Sequence, residues 1–135
     1  MALLYELVCD KELHNKAISH IKFEGSVSKV IRQLVEVWYN LHFLEATEIN
    51  DGTCEDFARD VCGIIPGTSV NWDDVYPEIE HKRFGIPFAI HAFVSYEEKY
   101  YDAEAPEGVD NWWDLPLFVQ ERRFSLSRDL QCSTV

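Results

Sequence analysis

The sequence predicts a single α+β domain in which helices come first and a small antiparallel sheet follows. Apolar residues recur at helical spacing over 27–44 and again over 54–65, whereas aromatic and β-branched residues dominate 88–103. The 135 residues, 47% of them hydrophobic, suffice for one core without metal or disulfide staples. No repeat or long linker divides them. We therefore expect one domain over 1–135, with a loose tail from about residue 125.

The first predicted element is a long amphipathic helix over 27–44. Its apolar stripe covers roughly five turns and includes Val27, Val30, Ile31, Leu34, Val35 and Trp38. The last turns carry four aromatic or imidazole side chains, Trp38, Tyr39, His42 and Phe43. We interpret these four as packing residues and not as a cofactor site, because they add nothing beyond the stripe.

A second helix is predicted to begin at Cys54. The dipeptide Asp51-Gly52 is typical of a turn, and Thr53 can serve as N-cap, with Asp56 where a capping box requires an acid. A thiol at a helix N-terminus gains from the helix dipole, which favours the thiolate and lowers the pKa. The backbone N–H of the same residue has no acceptor within the helix, so it can stabilise a developing oxyanion.

A structural interpretation of Cys54 stays open beside the catalytic one. The residue also continues the apolar face of its helix as a small hydrophobic side chain, as we expect Cys62 to do. Glu55 and Asp56 oppose ionisation of the thiol, so the helix dipole alone does not suffice. A catalytic Cys54 therefore requires a cationic partner, and histidine is the candidate.

The region after this helix is predicted to be a loop followed by a hairpin. Residues 66–87 contain a high density of breakers and predict a long loop; the breakers are Pro66, Gly67, Asn71, Pro77, Gly85 and Pro87. Beyond it, strands at 88–96 and 99–103 flank the pair Glu97-Glu98, which predicts a two-residue hairpin turn. Residues 111–116 predict a short turn or helix that packs two tryptophans.

Among the five histidines, His91 alone lies inside a predicted strand, where alternation gives its side chain one defined face. In an ideal hairpin register Glu104 lies directly opposite His91, and Asp102 lies at a diagonal position on the same face. Either carboxylate can therefore reach the imidazole. Together with Cys54 this supplies the nucleophile, base and orienting carboxylate that a thiol enzyme requires.

Three segments of the chain resemble the core motifs of transglutaminase-like proteins, which belong with the papain-like thiol enzymes and the arylamine N-acetyltransferases. The segments are Gly52–Ala58 (GTCEDFA), His91–Val94 (HAFV) and Tyr100–Asp102 (YYD). The order Cys, His, Asp is similar as well, and the resemblance spans roughly residues 50–105. It implies a papain-like core, with Cys54 and the later histidine and aspartate as the catalytic residues and with no cofactor.

The resemblance also implies an oxyanion hole with an upstream side-chain donor, for which Asn50 is the candidate beside the N–H of Cys54. The sequence departs from the family pattern after the aspartate, where Ala103 and Glu104 replace the common proline and threonine. Our choice for the orienting carboxylate is Asp102, with Glu104 as the alternative. The expected activity is that of a thiol hydrolase or acyltransferase, a peptidase or amidase first, that acts through an acyl-enzyme.

The net charge of −12 is concentrated in two segments. Residues 45–80 carry ten acids and one base, and residues 97–114 carry seven acids and one base. Such segments repel phosphates, so we expect no nucleic acid as partner and a protein or peptide substrate that can be basic. The charge also fits a solubility role. It leaves a second function open, an acidic interaction or inhibitor protein that binds a basic partner, as an inactive papain-like scaffold or a nucleic-acid mimic.

The sequence favours a cytoplasmic protein with no membrane partner. The apolar run at residues 1–7 is short and lacks a basic segment or a cleavage site. The four cysteines are scattered, which is typical of a reducing compartment; they are Cys9, Cys54, Cys62 and Cys132. A zinc site is disfavoured, and we expect no metal, because the candidate ligands lack the spacing of a ligand knuckle; these ligands are Cys54, Cys62, His81 and His91.

Overall fold

The computed structural model describes residues 11–75 and 90–120. Four α-helices come first: α1 (Lys11–Ile18), α2 (Val27–His42), α3 (Ala46–Asn50) and α4 (Cys54–Ile64). The strands β1 (Ser69–Asp74), β2 (Ile90–Tyr96), β3 (Lys99–Asp102) and β4 (Ala105–Val109) then form an antiparallel sheet in chain order. A 3-10 helix at Trp112–Asp114 follows, and residues 116–120 are helical. The predicted α+β class, with helices before an antiparallel sheet, is confirmed. The tail predicted from residue 125 lies outside the described residues.

The long amphipathic helix is confirmed as α2, which ends at His42 because Phe43 adopts a left-handed conformation with φ of 57°. The N–H of Phe43 donates to the carbonyl of Tyr39, which closes the last turn. Trp38 and His42 are buried as expected. The packing prediction is wrong for Tyr39 and Phe43, which are exposed, because the first points away from the apolar stripe and the second lies beyond the helix end.

The second predicted helix is α4, and it begins at Cys54 as expected. The predicted capping box is absent, because the hydroxyl of Thr53 donates to the carbonyl of Ile49 at the end of α3 and does not cap α4. The expectation of a buried Cys62 is wrong, since this side chain is only partly buried. The apolar face of α4 packs on β2 through its fully buried residues, Phe57, Ala58 and Val61.

The prediction of a loop over residues 66–87 is wrong for its first part, because β1 (Ser69–Asp74) pairs with β2. Residues 76–87 lie outside the described residues. The predicted hairpin between β2 and β3 is present with the predicted register, in which Val94 pairs with Tyr101. Glu97 and Glu98 form its turn, and both have positive φ, as a type I′ turn requires.

The sheet separates two apolar clusters. The larger cluster lies between the helices and one face of the sheet, and Ile31, Leu34 and Val94 belong to it. The smaller cluster forms around Phe93 and also contains Val75, Ala105, Leu115 and Phe118. The elements thus bring the N-terminus of α4 and the side chains of β2 together at one place. None of the helices over 11–75 and 90–120 combines the length and the hydropathy needed to cross a membrane.

Candidate active site

Cys54 lies at the first position of α4, partly buried, with its sulfur against strand β2. The backbone N–H of Ala92 donates to Sγ over 3.4 Å, and the N–H of Glu55 also contributes a hydrogen bond to the sulfur. Both donors favour negative charge on the sulfur, as does the end of the helix. The end of the helix and the strand therefore both favour the thiolate over the neutral thiol.

His91 is fully buried in β2, and its ring packs against Phe93 and Phe118, with centroids 6.2 and 5.4 Å away. Its Nε2–H donates to Oδ2 of Asp102 over 2.9 Å. The other ring nitrogen, Nδ1, is buried and has no hydrogen-bond partner within the described part of the chain. Nδ1 is therefore the nitrogen that can exchange a proton with the thiol or with a bound substrate.

The ionisation of Cys54 and that of His91 support each other. Burial raises the pKa of the Cys54 thiol, but the interaction with His91 and the N–H of Ala92 outweigh it, so the pKa lies below its ordinary value. Burial lowers the pKa of His91, whereas Asp102 and then Cys54 raise it, and the result is a pKa of about 9. At neutral pH His91 is therefore an imidazolium, and its charge favours a thiolate on Cys54 beside it.

Asp102 is buried, and its two carboxylate oxygens accept hydrogen bonds from different groups. Its Oδ2 receives the hydrogen bond of His91, while its Oδ1 accepts the backbone N–H groups of Glu104 and Ala105, over 3.0 and 2.9 Å. The second pair of bonds closes the turn between β3 and β4. Three hydrogen bonds leave the carboxylate one orientation, so the same turn that ends β3 also fixes the imidazole.

The structure brings Asp102, and not Glu104, to the imidazole. The ideal register that placed Glu104 opposite His91 assumed that β3 continues, but the chain turns directly after Asp102. Glu104 lies in that turn, and its Oε2 accepts a hydrogen bond from Nδ2 of Asn50 over 2.8 Å. The predicted oxyanion-hole candidate Asn50 is buried at the end of α3 and is held by this carboxylate.

A cleft of about 580 Å³ opens beside the thiol. Asn50, Cys54 and Ala92 are among its lining residues, so both candidate oxyanion donors belong to the same cleft. Two large apolar side chains also line the cleft and are half-exposed, Trp72 (49%) and Ile90 (48%).

Two acids, Asp51 and Glu55, lie at the same cleft. Glu55 is paired with Arg59 over 2.7 Å on the surface of α4. The cleft therefore presents both apolar and acidic side chains to a ligand. The sequence analysis missed Trp72, because the tryptophan lies in the segment interpreted as a loop.

A second histidine and carboxylate pair lies elsewhere in the structure. Nε2 of His14 is 2.7 Å from Oδ2 of Asp60, and Nδ1 of His14 is 2.9 Å from Nε2 of His42. The Nε1–H of Trp38 donates to the same carboxylate. This network links α1, α2 and α4 and borders a separate cavity of about 300 Å³, and the described residues that line this cavity include no thiol or hydroxyl. The network joins the three helices through hydrogen bonds between buried and partly buried side chains.

No three His, Cys, Asp or Glu side chains over 11–75 and 90–120 are grouped so that they could hold a metal ion. Of the four disfavoured zinc ligands, His81 lies outside the described residues. His91 is already engaged by Asp102 through Nε2.

Comparisons of the chain with protein-family models, with curated proteins and with solved structures find no match.

Proposed function

We propose that the protein is a thiol hydrolase or acyltransferase with a papain-like, transglutaminase-like core. The observation that carries the proposal is the chain of contacts from Cys54 through His91 to Asp102, with a lowered thiol pKa at one end and a fixed carboxylate at the other. A cysteine that only packs has no need of a buried imidazolium beside it. For a nucleophile, the imidazolium stabilises the thiolate and also donates a proton to the leaving group.

The proposed reaction begins when the Cys54 thiolate attacks an amide or ester carbonyl carbon. The carbonyl oxygen becomes an oxyanion that the N–H of Cys54 and the side chain of Asn50 can stabilise. The oxyanion then reforms the carbonyl, the bond to the leaving group breaks, and Nδ1 of His91 gives its proton to the departing amine or alcohol. The product on the enzyme is a thioester.

Water, or an amine in the transferase case, then attacks the thioester. His91, now neutral, takes a proton from the incoming nucleophile, and the thiolate of Cys54 leaves. The acid or the new amide is released, and the thiolate–imidazolium pair is restored. Phe118 and Phe93 cover the imidazole, so they keep water from weakening its bond to Asp102.

The substrate class that fits the cleft is a protein or peptide with a basic side chain. The acids of segments 45–80 and 97–114 attract such a chain, and Asp51 places one of them at the cleft itself. Trp72 and Ile90 offer an apolar surface for a neighbouring residue. A peptidase or amidase is our first choice within the class.

The alternative is an acidic interaction or inhibitor protein built on an inactive scaffold of the same kind. The half-exposed Trp72 and Ile90 favour it, because exposed apolar side chains beside acids also suit a basic protein partner. In that case the thiol of Cys54 takes no part in catalysis.

Alkylation separates the two functions. The protein is treated with less than one equivalent of iodoacetamide at neutral pH, and the modified cysteine is mapped by mass spectrometry. The proposal predicts that Cys54 reacts first and faster than free cysteine, and that Cys54→Ala removes the fast phase whereas Cys62→Ala, the matched control, keeps it. Equal labelling of all cysteines, or a slow Cys54, supports the interaction protein instead.

A further inference from the structure

We propose that Glu104 is a positioning residue that holds Asn50 as the side-chain donor of the oxyanion hole. This inference rests on the proposed thiol chemistry and assigns a role to the carboxylate that does not reach His91. The contact that motivates it is the 2.8 Å hydrogen bond from Nδ2 of Asn50 to Oε2 of Glu104.

The amide of Asn50 is placed to serve two acceptors. Asn50 is 4% exposed, lies at the end of α3 and lines the cleft together with Cys54. A primary amide nitrogen carries two hydrogens. One goes to Glu104. The other has no acceptor within the described part of the chain, so it can serve an oxygen bound in the cleft, where the N–H of Cys54 is the second donor.

Glu104 determines whether the NH₂ group or the oxygen of the Asn50 amide faces the oxyanion position in the cleft. A carboxylate accepts hydrogen bonds and cannot donate them, so it pairs with the NH₂ group of Asn50 and repels the carbonyl oxygen. Without this bond the amide can rotate and present its oxygen, which would oppose an oxyanion. The turn that holds Glu104 is closed by Oδ1 of Asp102, so one turn supports both the imidazole and the oxyanion donor.

Two other roles for Glu104 make different predictions. If the bond only satisfies a buried amide, its loss lowers stability and leaves the chemistry intact. If the charge of Glu104 matters by itself, it opposes the oxyanion, and its removal speeds acylation. Alanine distinguishes the positioning role from both, because its loss of the hydrogen bond slows acylation only if Glu104 holds the amide; glutamine then shows whether an uncharged acceptor is enough to hold it.

The test compares the variants Glu104→Ala, Glu104→Gln, Asn50→Ala and the double alanine variant with the wild type. One readout is kcat/KM for acylation by an activated ester, a reaction that forms an oxyanion. The other is the rate of alkylation by iodoacetamide, a displacement at saturated carbon that forms none. Melting temperatures report any loss of the fold.

We expect Asn50→Ala to lower kcat/KM by about 10²-fold, the usual effect of removing one oxyanion donor. Glu104→Ala should lower it by roughly 10-fold or more, since a misplaced donor is partly lost, while Glu104→Gln equals or exceeds the wild type. Alkylation rates should stay within about 2-fold in all of them, because the His91 and Asp102 contacts are untouched. The double variant should be no slower than Asn50→Ala alone, since Glu104 acts only through Asn50.

The inference is overturned if Glu104→Ala acylates at the wild-type rate, or if Glu104→Gln is as slow as Glu104→Ala in a folded protein. A parallel loss of acylation and alkylation overturns it too, because it shows a general loss of structure. If the wild type alkylates quickly at Cys54 but Asn50→Ala acylates normally, the inference fails and the proposed function survives. If the wild type forms no acyl-enzyme at all, both fail.

Discussion

Replacing Asp102 by asparagine is expected to remove the charge that supports the His91 imidazolium while the turn after β3 stays closed. The oxygen of asparagine can accept the same two N–H groups, from Glu104 and Ala105, that Oδ1 accepts in the wild type. Each such bond contributes about 0.5–1.5 kcal/mol, so the oxygen is held in the turn and the NH₂ group faces Nε2 of His91. Nε2 must then accept a hydrogen bond, and the ring carries its single proton on Nδ1.

The size of the effect follows from the pKa of His91. Asp102 and Cys54 raise this pKa from the ordinary value of 6.5 to about 9 against the effect of burial. The change corresponds to roughly 3 kcal/mol in favour of the charged ring, at about 1.4 kcal/mol per pKa unit. Asp102 supplies the first of the raising interactions, so the variant loses the largest single contribution to this preference. We expect a fall in kcat/KM of about 10²-fold, since 1.4 kcal/mol is a factor of about ten.

The assay pairs steady-state kinetics on an activated ester with iodoacetamide alkylation followed against pH. In Asp102→Asn the alkylation midpoint should move to higher pH, because the thiolate loses its cationic partner. Glu104→Gln is the matched control and should leave the midpoint unchanged. An Asp102→Asn variant with wild-type kcat/KM and an unchanged alkylation midpoint would refute the reasoning. Asp102 would then serve only to close the turn after β3.

Three further predictions concern the pH profile, the His91→Ala variant and the effect of salt. The pH profile of kcat/KM should be bell-shaped. Its acid limb should lie below the pKa of an ordinary thiol, because the pKa of Cys54 is lowered, and its alkaline limb near pH 9, where His91 loses its proton. A single rise near pH 8.5 without an alkaline fall would contradict this prediction. His91→Ala should raise the pKa of Cys54 in the alkylation profile, and an unchanged profile would remove His91 from the site. For a basic peptide, KM should rise with salt at constant kcat, since the acids of segments 45–80 and 97–114 attract it; a salt-independent KM would assign those charges to solubility.

The features that the sequence predicted well depend on local signals. The start of α4 at Cys54 follows from a turn dipeptide and an apolar face within one segment, and both lie close together in the chain. The register of the β2–β3 hairpin follows from its two-residue turn, which fixes every later pair.

Strand β1 could not be predicted in the same way. Its sequence SVNWDD has few apolar residues and no clean alternation, and it becomes a strand through pairing with β2, which lies about twenty residues further along the chain. Such pairing depends on tertiary contacts that local propensity does not contain. The network of His14, His42 and Asp60 was missed for the same reason, since its members come from three helices.

The choice between the two carboxylates shows a subtler limit. The register argument was sound up to Tyr101 and failed at Glu104, because the side chain of Asp102 itself ends the strand. Aspartate often accepts the backbone N–H two residues later and so initiates a turn. This local signal was present in the sequence Asp102-Ala-Glu-Ala105 and could have favoured Asp102 without any family resemblance.

The central claim, a covalent acyl-enzyme on Cys54, is tested most directly by trapping the intermediate. The wild type is mixed with an activated ester, the reaction is stopped with acid within the first turnover, and the acyl group is located by intact-mass and peptide mass spectrometry. We predict one acyl group per chain, attached to Cys54, with a matching burst of released alcohol, and no adduct in Cys54→Ala. An acyl group on Cys62, a spread over several cysteines, or a burst that persists in Cys54→Ala would contradict the account.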